Sequence, residues 1–558
     1  MAAEVKKYNK RLEALRSERS TFYPMWAELS EYHLGHRGRF LTSDRNKGYK
    51  KNLKQINNTS RLAARTLAGG MMAGITSPAR PWFKMATSDS DLNEYGPVKD
   101  WMEAVQKTMY EVFSQSNFYN TLHQLYSELG VFGQGVMGMY DDFNNVIDCR
   151  QYTIGSYFLA LNEKNRVDTF YREYEITVGQ CVKKFGKENC SISVQNQWDN
   201  GGSENWVQIV HVIEPNDDRD LISPLAKDKK FRSVYYEKSS KTAEKDNQFL
   251  LQSGFDNFPI MSPRWDVVGE DVYAMDCPGI VALGDTKALQ LGEMRAYRAL
   301  DKIVEPPLQG PASMRNAGAD KTLRDGEIAW VNDMTGGGLK SVYDFRPDLN
   351  AMVAVNDRAE VRIKKAFYED LFLMLSESDR RQITAREVAE KHEEKLLMIG
   401  PVLERLHSEL LDPVIENTFY RLQTAGVLPH PPQELQGKEF NIQYVSILAQ
   451  AQRMVATSGL GEFSQFVANL SQVWPEARHK FDPMQAIDQY ADARGVPPSV
   501  VVSDDQAKQA AAEEAKVQQQ NEMMQQNAAM ADAAKTASQA NTSKDNMLGN
   551  LMERAGLQ

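Results

Sequence analysis

Apolar residues recur at helical spacing from about Lys6 to His33, where Leu12, Leu15, Phe22, Trp26 and Leu29 fall near one face, so the pattern predicts an amphipathic helix. A second helix is predicted from about Ser60 to Ile75, with Asn58, Thr59 and Ser60 as candidate N-caps and Pro78 and Pro81 as stops. Its Ala, Gly and Met content allows close approach to a neighbour. Thr76-Ser77-Pro78-Ala79-Arg80-Pro81-Trp82-Phe83 then reads as a rigid loop, stiffened by its prolines and pinned to a core by Trp82 and Phe83. Residues Val98 to Val131 hold one or two helices with the stripe Trp101, Val105, Met109, Val112 and Phe113.

The period changes at Val136. Segments around Val146–Tyr152, Val167–Tyr174, Trp206–Ile213 and Arg232–Glu237 alternate as strands do, separated by polar turns such as Asp199–Ser203. Helical spacing returns from about Gly279 to Ile303. A Pro/Gly-rich stretch follows, from Glu305-Pro306-Pro307 to Gly336-Gly337-Gly338, in which Glu327–Asn332 and Leu339–Phe345 read as two short strands, a candidate hairpin. A long helix is predicted from Asp348 to Leu375, roughly 40 Å at 1.5 Å per residue, with Glu360 and Lys364 as an i,i+4 pair. After the polar break Ser376–Gln382, the capping box Thr384…Glu387 starts a helix that runs to about Thr424, bent or broken at Gly400-Pro401 and at Pro413, with Gly426 as its stop. Residues Asn441 to Tyr490 read as mostly helical, and the tail from about Ser503 is Ala-, Gln- and Met-rich and of low complexity. The fold class expected from this order is α+β and helix-rich.

Composition narrows the function. The chain has 558 residues, enough for several domains, and a formal net charge of -10, which argues against a tight, static grip on nucleic acid. The four cysteines, Cys149, Cys181, Cys190 and Cys277, form no CxxC pair and read as reduced structural thiols, with a zinc site or disulfide well behind. The charged N-terminus lacks a signal-peptide core, and no apolar run reaches the ~18 residues of a membrane span, so a soluble protein made in a cytoplasm is expected.

Motifs for catalysis fail on spacing or order. Gly133-Gln134-Gly135-Val136-Met137-Gly138 fits GxGxxG, but a helix precedes it and a strand follows, the reverse of a dinucleotide site. Gly336–Ser341 lacks the spacing of a phosphate loop, His392-Glu393 has Leu396 where a second His would stand, and no GxSxG elbow occurs. Asp141-Asp142 and Asp217-Asp218 read as solvated turns. No catalytic residue, metal site or cofactor is expected, and the chain is read as not an enzyme. By spacing alone, Arg380-Arg381 is a solvated turn between two long helices.

Six strings in order resemble the head-to-tail connector (portal) proteins of short-tailed, podovirus-type phages: Ala73–Phe83, Tyr171–Tyr174 running into Thr177–Gly186, Val304–Leu308, Ile383–Val388, Gly400–Leu406, and Tyr444–Ser446 with Leu448–Gln452. The likeness spans roughly Lys6 to Tyr490. It implies a cyclic ring, usually a dodecamer, around a central channel. The implied parts are a wing over 1–276, a first stem helix over 277–304, a clip over 305–346, a second stem helix over 347–375, a tunnel loop over 376–383, a long wing helix over 384–430, a crown over 431–502 and a low-complexity tail over 503–558. Ser378, Asp379, Arg380, Arg381 and Gln382 would then face the DNA channel from the tunnel loop, and Arg358, Arg362, Lys364 and Lys365 from the stem. Pro306, Pro307, Arg315, Lys321, Arg324, Trp330 and Lys340 would serve motor and adaptor docking on the clip. The resemblance implies a homo-oligomer passing double-stranded DNA, with the terminase large subunit, a tail adaptor, the major capsid and scaffolding proteins and internal core proteins as partners, and no membrane. The implied place is the capsid portal vertex of the virion, reached after assembly in the host cytoplasm. The competing expectation is a scaffold or adaptor ring that does not itself pass DNA.

Overall fold

The computed structural model describes residues 2–40, 54–87, 89, 92–93, 95–238, 249–306, 308–311, 328–331, 340–341, 348–373, 399–435, 440–446 and 448, with 463–471, 474, 476, 480–487 and scattered positions between 507 and 529 further on. The chain divides into two units, Met1–Ala456 and Thr457–Gln558.

The single N-terminal helix expected over 6–33 is two helices, α1 (Ala2–Ser20) and α2 (Tyr23–Tyr32). Pro24 explains the break: its ring would meet the Ser20 carbonyl in a continuous helix, whereas in the first turn of α2 its missing N–H goes unused. In α3 (Thr59–Ile75) Asn58 stands at the N-cap position, one of the three expected, but its side chain makes no capping bond; Asn57 Oδ1 instead accepts the Thr59 N–H at 2.8 Å. Trp82 and Phe83 are buried as the anchor reading requires. Phe83 also begins a strand, β1 (Phe83–Thr87), that the sequence reading missed. Its partner is the antiparallel strand Phe440–Tyr444, which corrects the helical expectation at the start of 441–490. Two helices follow, α4 (Gly96–Gln115), which carries the predicted apolar stripe inward, and α5 (Phe118–Phe132), buried along most of its length.

Beyond α5 lie β2 (Val136–Asp142) and β3 (Val146–Tyr152), an antiparallel hairpin. Next come β4 (Tyr157–Leu161), β5 (Val167–Thr177), two short helices α6 (Val178–Phe185) and α7 (Ile192–Asp199), then β6 (Trp206–Pro215), β7 (Phe231–Glu237) and β8 (Leu251–Phe255). Strands β4 to β8 form one antiparallel five-stranded sheet in sequential order. Alternation sorts its side chains: Phe158, Tyr171, Val210, Val212, Val234 and Tyr236 meet Val5, Tyr8, Leu12 and Leu15 of α1, while Leu159, Phe170 and Ile213 enter the main core. Arg19 pins α1 to this sheet, its Nη1 donating to Gly155 O at 2.8 Å and to Tyr157 O, with its guanidinium 3.5 Å from the centre of the Phe158 ring. Helices α6 and α7 were missed, although Thr177 and Gln180 make a full capping box. The two-residue strand β9 (Ile260–Met261) adds to β2.

A long helix pair follows: α8 (Pro278–Val304) and α9 (Leu349–Ala366), with Asp348 Oδ1 capping α9 by accepting the Ala351 N–H at 3.0 Å. Between them, β10 (Leu308–Pro311) lies at the centre of a small sheet, parallel to β11 (Ile328–Val331) and antiparallel to β12 (Lys340–Ser341). The two predicted strands therefore do not form a hairpin with each other; an unpredicted third strand separates them. Helix α9 also ends before the expected Leu375: Phe367 caps it and Tyr368 adopts φ 53°, which turns the chain so that Phe367, Leu371 and Phe372 enter the main core. Glu360, expected to pair with Lys364, instead accepts from Asn57 Nδ2 at 2.8 Å.

Later in this unit, residues 399–406 are helical, with Gly400 and Pro401 in the first described turn; the chain on the other side of the expected break lies outside the described residues. The irregularity is a π turn at His407–Leu411, ahead of Pro413 and of α10 (Asp412–Thr424). Gly426 stops the helix with φ 67°, as predicted. The last strand of the unit is β13 (Phe440–Tyr444). In the C-terminal unit, 463–471 and 483–487 are helical. The Thr384…Glu387 capping box and the His392-Glu393 pair lie outside the described residues.

Candidate nucleic-acid and subunit interface

The α8–α9 pair is zipped by polar contacts over a small-residue seam. Arg362 Nε donates to Asp285 Oδ1 at 2.9 Å and Asn356 Nδ2 to Glu293 Oε1 at 3.3 Å, so the helices run antiparallel. Ala282, Thr286, Leu289, Ala359 and Ile363 are buried along the seam. Gly292 leaves room for the Asn356 amide, since a Cβ there would stand 2.2 Å from Asn356 Oδ1. The segment before α3 locks this end of the pair: Gln290 Oε1 accepts the N–H groups of Ile56 at 2.6 Å and Asn57 at 2.9 Å, and Gln290 Nε2 donates back to Asn57 O at 2.8 Å. Below it, Gly279 abuts the Val131 backbone and Gly70 of α3 abuts Phe372, two approaches that any Cβ would block at 2.2 Å. His33 sits in this foot, with Nδ1 3.0 Å from Ser60 Oγ and its ring edge-on to Phe367; burial lowers its pKa to about 4, so it is neutral at neutral pH.

Away from the seam, the pair exposes charge and apolar surface together. At 100° per residue, Arg358, Arg362 and Lys365 share one stripe of α9, turned away from Asn356, Ala359 and Ile363. Arg358, Lys364 and Lys365 are exposed and make no ion pair among the described residues, whereas Arg362 is matched by Asp285 at 2.7 Å, which raises the Arg362 pKa. The sequence reading missed a second stripe on α8, Arg295, Arg298 and Lys302, whose i, i+3, i+7 spacing was visible. Val281, Leu291, Tyr297, Leu300, Ile303 and Val304 on α8 and Val353, Val355 and Val361 on α9 are exposed large apolar residues.

Of the other predicted site residues, Pro306 follows the C-cap Glu305 of α8, while Trp330 in β11 stands opposite Gly310 and Lys340 in β12 opposite Gln309. Pro307, Arg315, Lys321, Arg324 and the whole set Ser378, Asp379, Arg380, Arg381 and Gln382 lie outside the described residues. A further joint missed by the sequence reading anchors the π turn: Arg264 Nε and Nη2 donate to Glu409 Oε1 at 3.1 and 2.5 Å, and the Arg264 N–H donates to Glu409 Oε2 at 2.9 Å. The GxGxxG glycines serve packing. Gly133 ends α5 in the left-handed region at φ 77°, a Cβ on Gly135 would strike Leu125, and the strand β2 follows, so the loop does not open a helix as a dinucleotide site requires. Asp141 accepts from Arg421 Nε at 2.6 Å, and Asp142 accepts the Asn144 and Asn145 N–H groups in the tight turn expected of it. No described helix is long and apolar enough to cross a membrane.

The family model described as bacteriophage head to tail connecting protein matches residues 5–502. The chain is 41% identical over 548 residues to the portal protein of Salmonella phage epsilon15, covering 98% of each chain. It is also 41% identical over 535 residues to the probable portal protein of Bordetella phage BPP-1, covering 96% of this chain and 95% of that relative.

Proposed function

The chain belongs to the family of bacteriophage head to tail connecting proteins, and from that premise we propose that it is a portal protein of a phage virion, forming the ring at one capsid vertex through which DNA enters and leaves. The observation that carries this reading is the 41% identity to a phage portal protein along 98% of both chains. An adaptor ring that does not pass DNA is not favoured by a likeness of that extent.

In this reading the subunit count is twelve, and α8 and α9 are the stem, with β10, β11 and β12 in the clip. A closed ring needs two different complementary faces on each subunit. The stem supplies them as exposed valines, leucines and Tyr297 beside basic stripes. A channel has to pass DNA without trapping it. Repeated weak phosphate contacts on an acidic protein of net charge -10 meet that need, because many small attractions spread along the duplex leave no deep well. Arg358, Lys364 and Lys365, or the α8 stripe Arg295, Arg298 and Lys302, are the stem groups offered to phosphate. Arg380 and Arg381 join them from the proposed tunnel loop over 376–383. The clip, with Pro306, Pro307, Arg315, Lys321, Arg324, Trp330 and Lys340, docks the terminase large subunit and then the tail adaptor. The wing over 1–276, the long wing helix over 384–430 and the crown over 431–502 meet capsid, scaffolding and internal core proteins, and the subunits assemble in the host cytoplasm. The role is structural; the work of packaging comes from a separate motor.

Axial images of purified particles test the core of this reading. Rings with an open centre are expected; monomers, or rings without a hole, overturn it. Replacing Arg380 and Arg381 by Ala is expected to leave rings intact while lowering DNA packaging or retention, and failure to form rings would make that loop structural. Deleting 306–345 is expected to abolish docking of the motor and adaptor, and normal packaging by that variant would refute the clip assignment.

A further inference from the structure

The small lobe made by α6 and α7 holds a cluster that the portal role does not use. Cys181 lies on the buried side of α6, Cys190 follows the 3-10 turn Lys187–Asn189, and Glu237 ends β7. All three side chains are buried, and one ligand atom from each lies within 4.8 Å of the others. The two Sγ atoms are 3.8 Å apart. We propose that Cys181, Cys190 and Glu237 bind a thiophilic divalent cation, zinc above others, and thereby clamp the α6–α7 lobe to the edge of the sheet.

The geometry separates this from the alternatives. A disulfide requires sulfurs about 2.05 Å apart. Two thiolates on one tetrahedral zinc, each at about 2.3 Å, stand about 3.8 Å from one another, which is the separation seen here. The third donor is held in place: Glu237 Oε1 accepts the Ser191 N–H at 2.8 Å, the kind of outer hydrogen bond that orients a ligating carboxylate. Val178, Phe185, Val194, Val207, Ile209 and Leu250 surround the cluster, and in such an apolar shell a carboxylate beside two sulfurs is stabilised by a cation. The two thiols are in hydrogen-bond contact with each other, and Cys190 Sγ also donates to Gly186 O at 3.2 Å, so the loop backbone holds this sulfur beside Cys181. On binding, zinc displaces both thiol protons to solvent, and three protein ligands leave the fourth tetrahedral position to water. Hard oxygen-seeking cations such as magnesium and calcium are excluded by the two sulfurs.

The test uses the full chain, purified reduced and given zinc alone or cobalt(II) alone. About one zinc per chain by elemental analysis is expected, together with the thiolate-to-cobalt charge-transfer band and strong visible bands of a tetrahedral site. Cys181→Ser and Cys190→Ser are expected to lose both signals, and Glu237→Gln to weaken zinc binding on the order of tenfold or more. The proposal is overturned if the reduced wild-type chain holds less than about a tenth of an equivalent of zinc, if zinc stays bound after both cysteines are replaced, or if the intact mass lacks two hydrogens and so reports a disulfide. The wild-type measurement decides even if a variant misfolds, and no outcome depends on whether the chain forms rings.

Discussion

In the five-stranded sheet both faces are covered from within the chain: α1 lays Val5, Tyr8, Leu12 and Leu15 on one, and the main core and the α6–α7 lobe take the other. The α8–α9 pair, the proposed stem, is covered along one seam and at its foot, and leaves Val281, Leu291, Val353, Val355 and Val361 exposed. The sheet is thus completed by folding, while the proposed stem keeps a surface open for association. Mutations in the two regions should fail in different assays: those in the sheet lower the stability of a single subunit, and those on the stem spare the subunit and disrupt the assembly.

The largest effect is expected from Phe170→Ala, which empties a fully buried site between β5 and the main core. A loss of about 3–5 kcal/mol in chemical denaturation of the free subunit is expected; a loss as small as that of an exposed residue would erase the contrast. Next, Glu409→Ala strands Arg264, which is only 6% exposed, and should lower stability by about 3 kcal/mol. Glu409→Gln should recover part of it, because one amide oxygen still accepts.

Acidification probes the stem foot. His33 is held down to about 4 by burial, below its ordinary 6.5, so the unfolded chain binds a proton first as pH falls. The stability this provides is complete above the ordinary value and is lost between about pH 6.5 and 4, at about 1.4 kcal/mol per pH unit. Burial raises the Glu128 carboxyl, which has the opposite sign and stabilises on acidification, and burial lowers His211 in the sheet, which adds to the His33 slope. The informative quantity is therefore the difference between wild type and His33→Gln, with the variant expected to show the shallower pH dependence. An identical slope in both would place the proton uptake elsewhere.

The smallest effects on the subunit belong to the stem surface. Val355→Ser with Val361→Ser should change subunit stability by no more than about 0.5 kcal/mol, yet reduce the ring fraction in sedimentation; intact rings would show that this face is not an interface. Arg362→Ala removes an exposed pair with Asp285 and should leave the midpoint of chemical denaturation of the subunit nearly unchanged.

What could be read from sequence follows the same division. The α8 and α9 helices and the α4 stripe were legible because their periodicity is local and strong. The turn at Gly133 was legible because helix and strand periods meet there. Strand β1 was not, since a five-residue strand after a proline pair has no local signature without its distant partner. The end of α9 at Phe367 was hidden because the turn at Tyr368 is driven by burial of Phe367 and Phe372 in a core assembled from elsewhere. In the candidate interface the basic stripe of α9 was visible as charge, but the Asp285 partner that neutralises Arg362 emerges only when two helices distant in sequence meet. The cysteines show the limit most clearly: Cys181 and Cys190 lack metal spacing in the sequence, and Glu237 joins them only through β7.

The pairing of β1 with β13 bears on synthesis. Phe83 emerges from the ribosome hundreds of residues before Tyr444, its partner in register. Until then β1 has an open edge, and a nascent chain cannot satisfy the backbone of that strand by itself. A chain truncated before Phe440 would retain the sequences of the α8–α9 pair and of the five-stranded sheet yet lack the strand that pairs with β1. In the proposed ring, that pairing would act as a late check on chain length, favouring finished subunits over fragments.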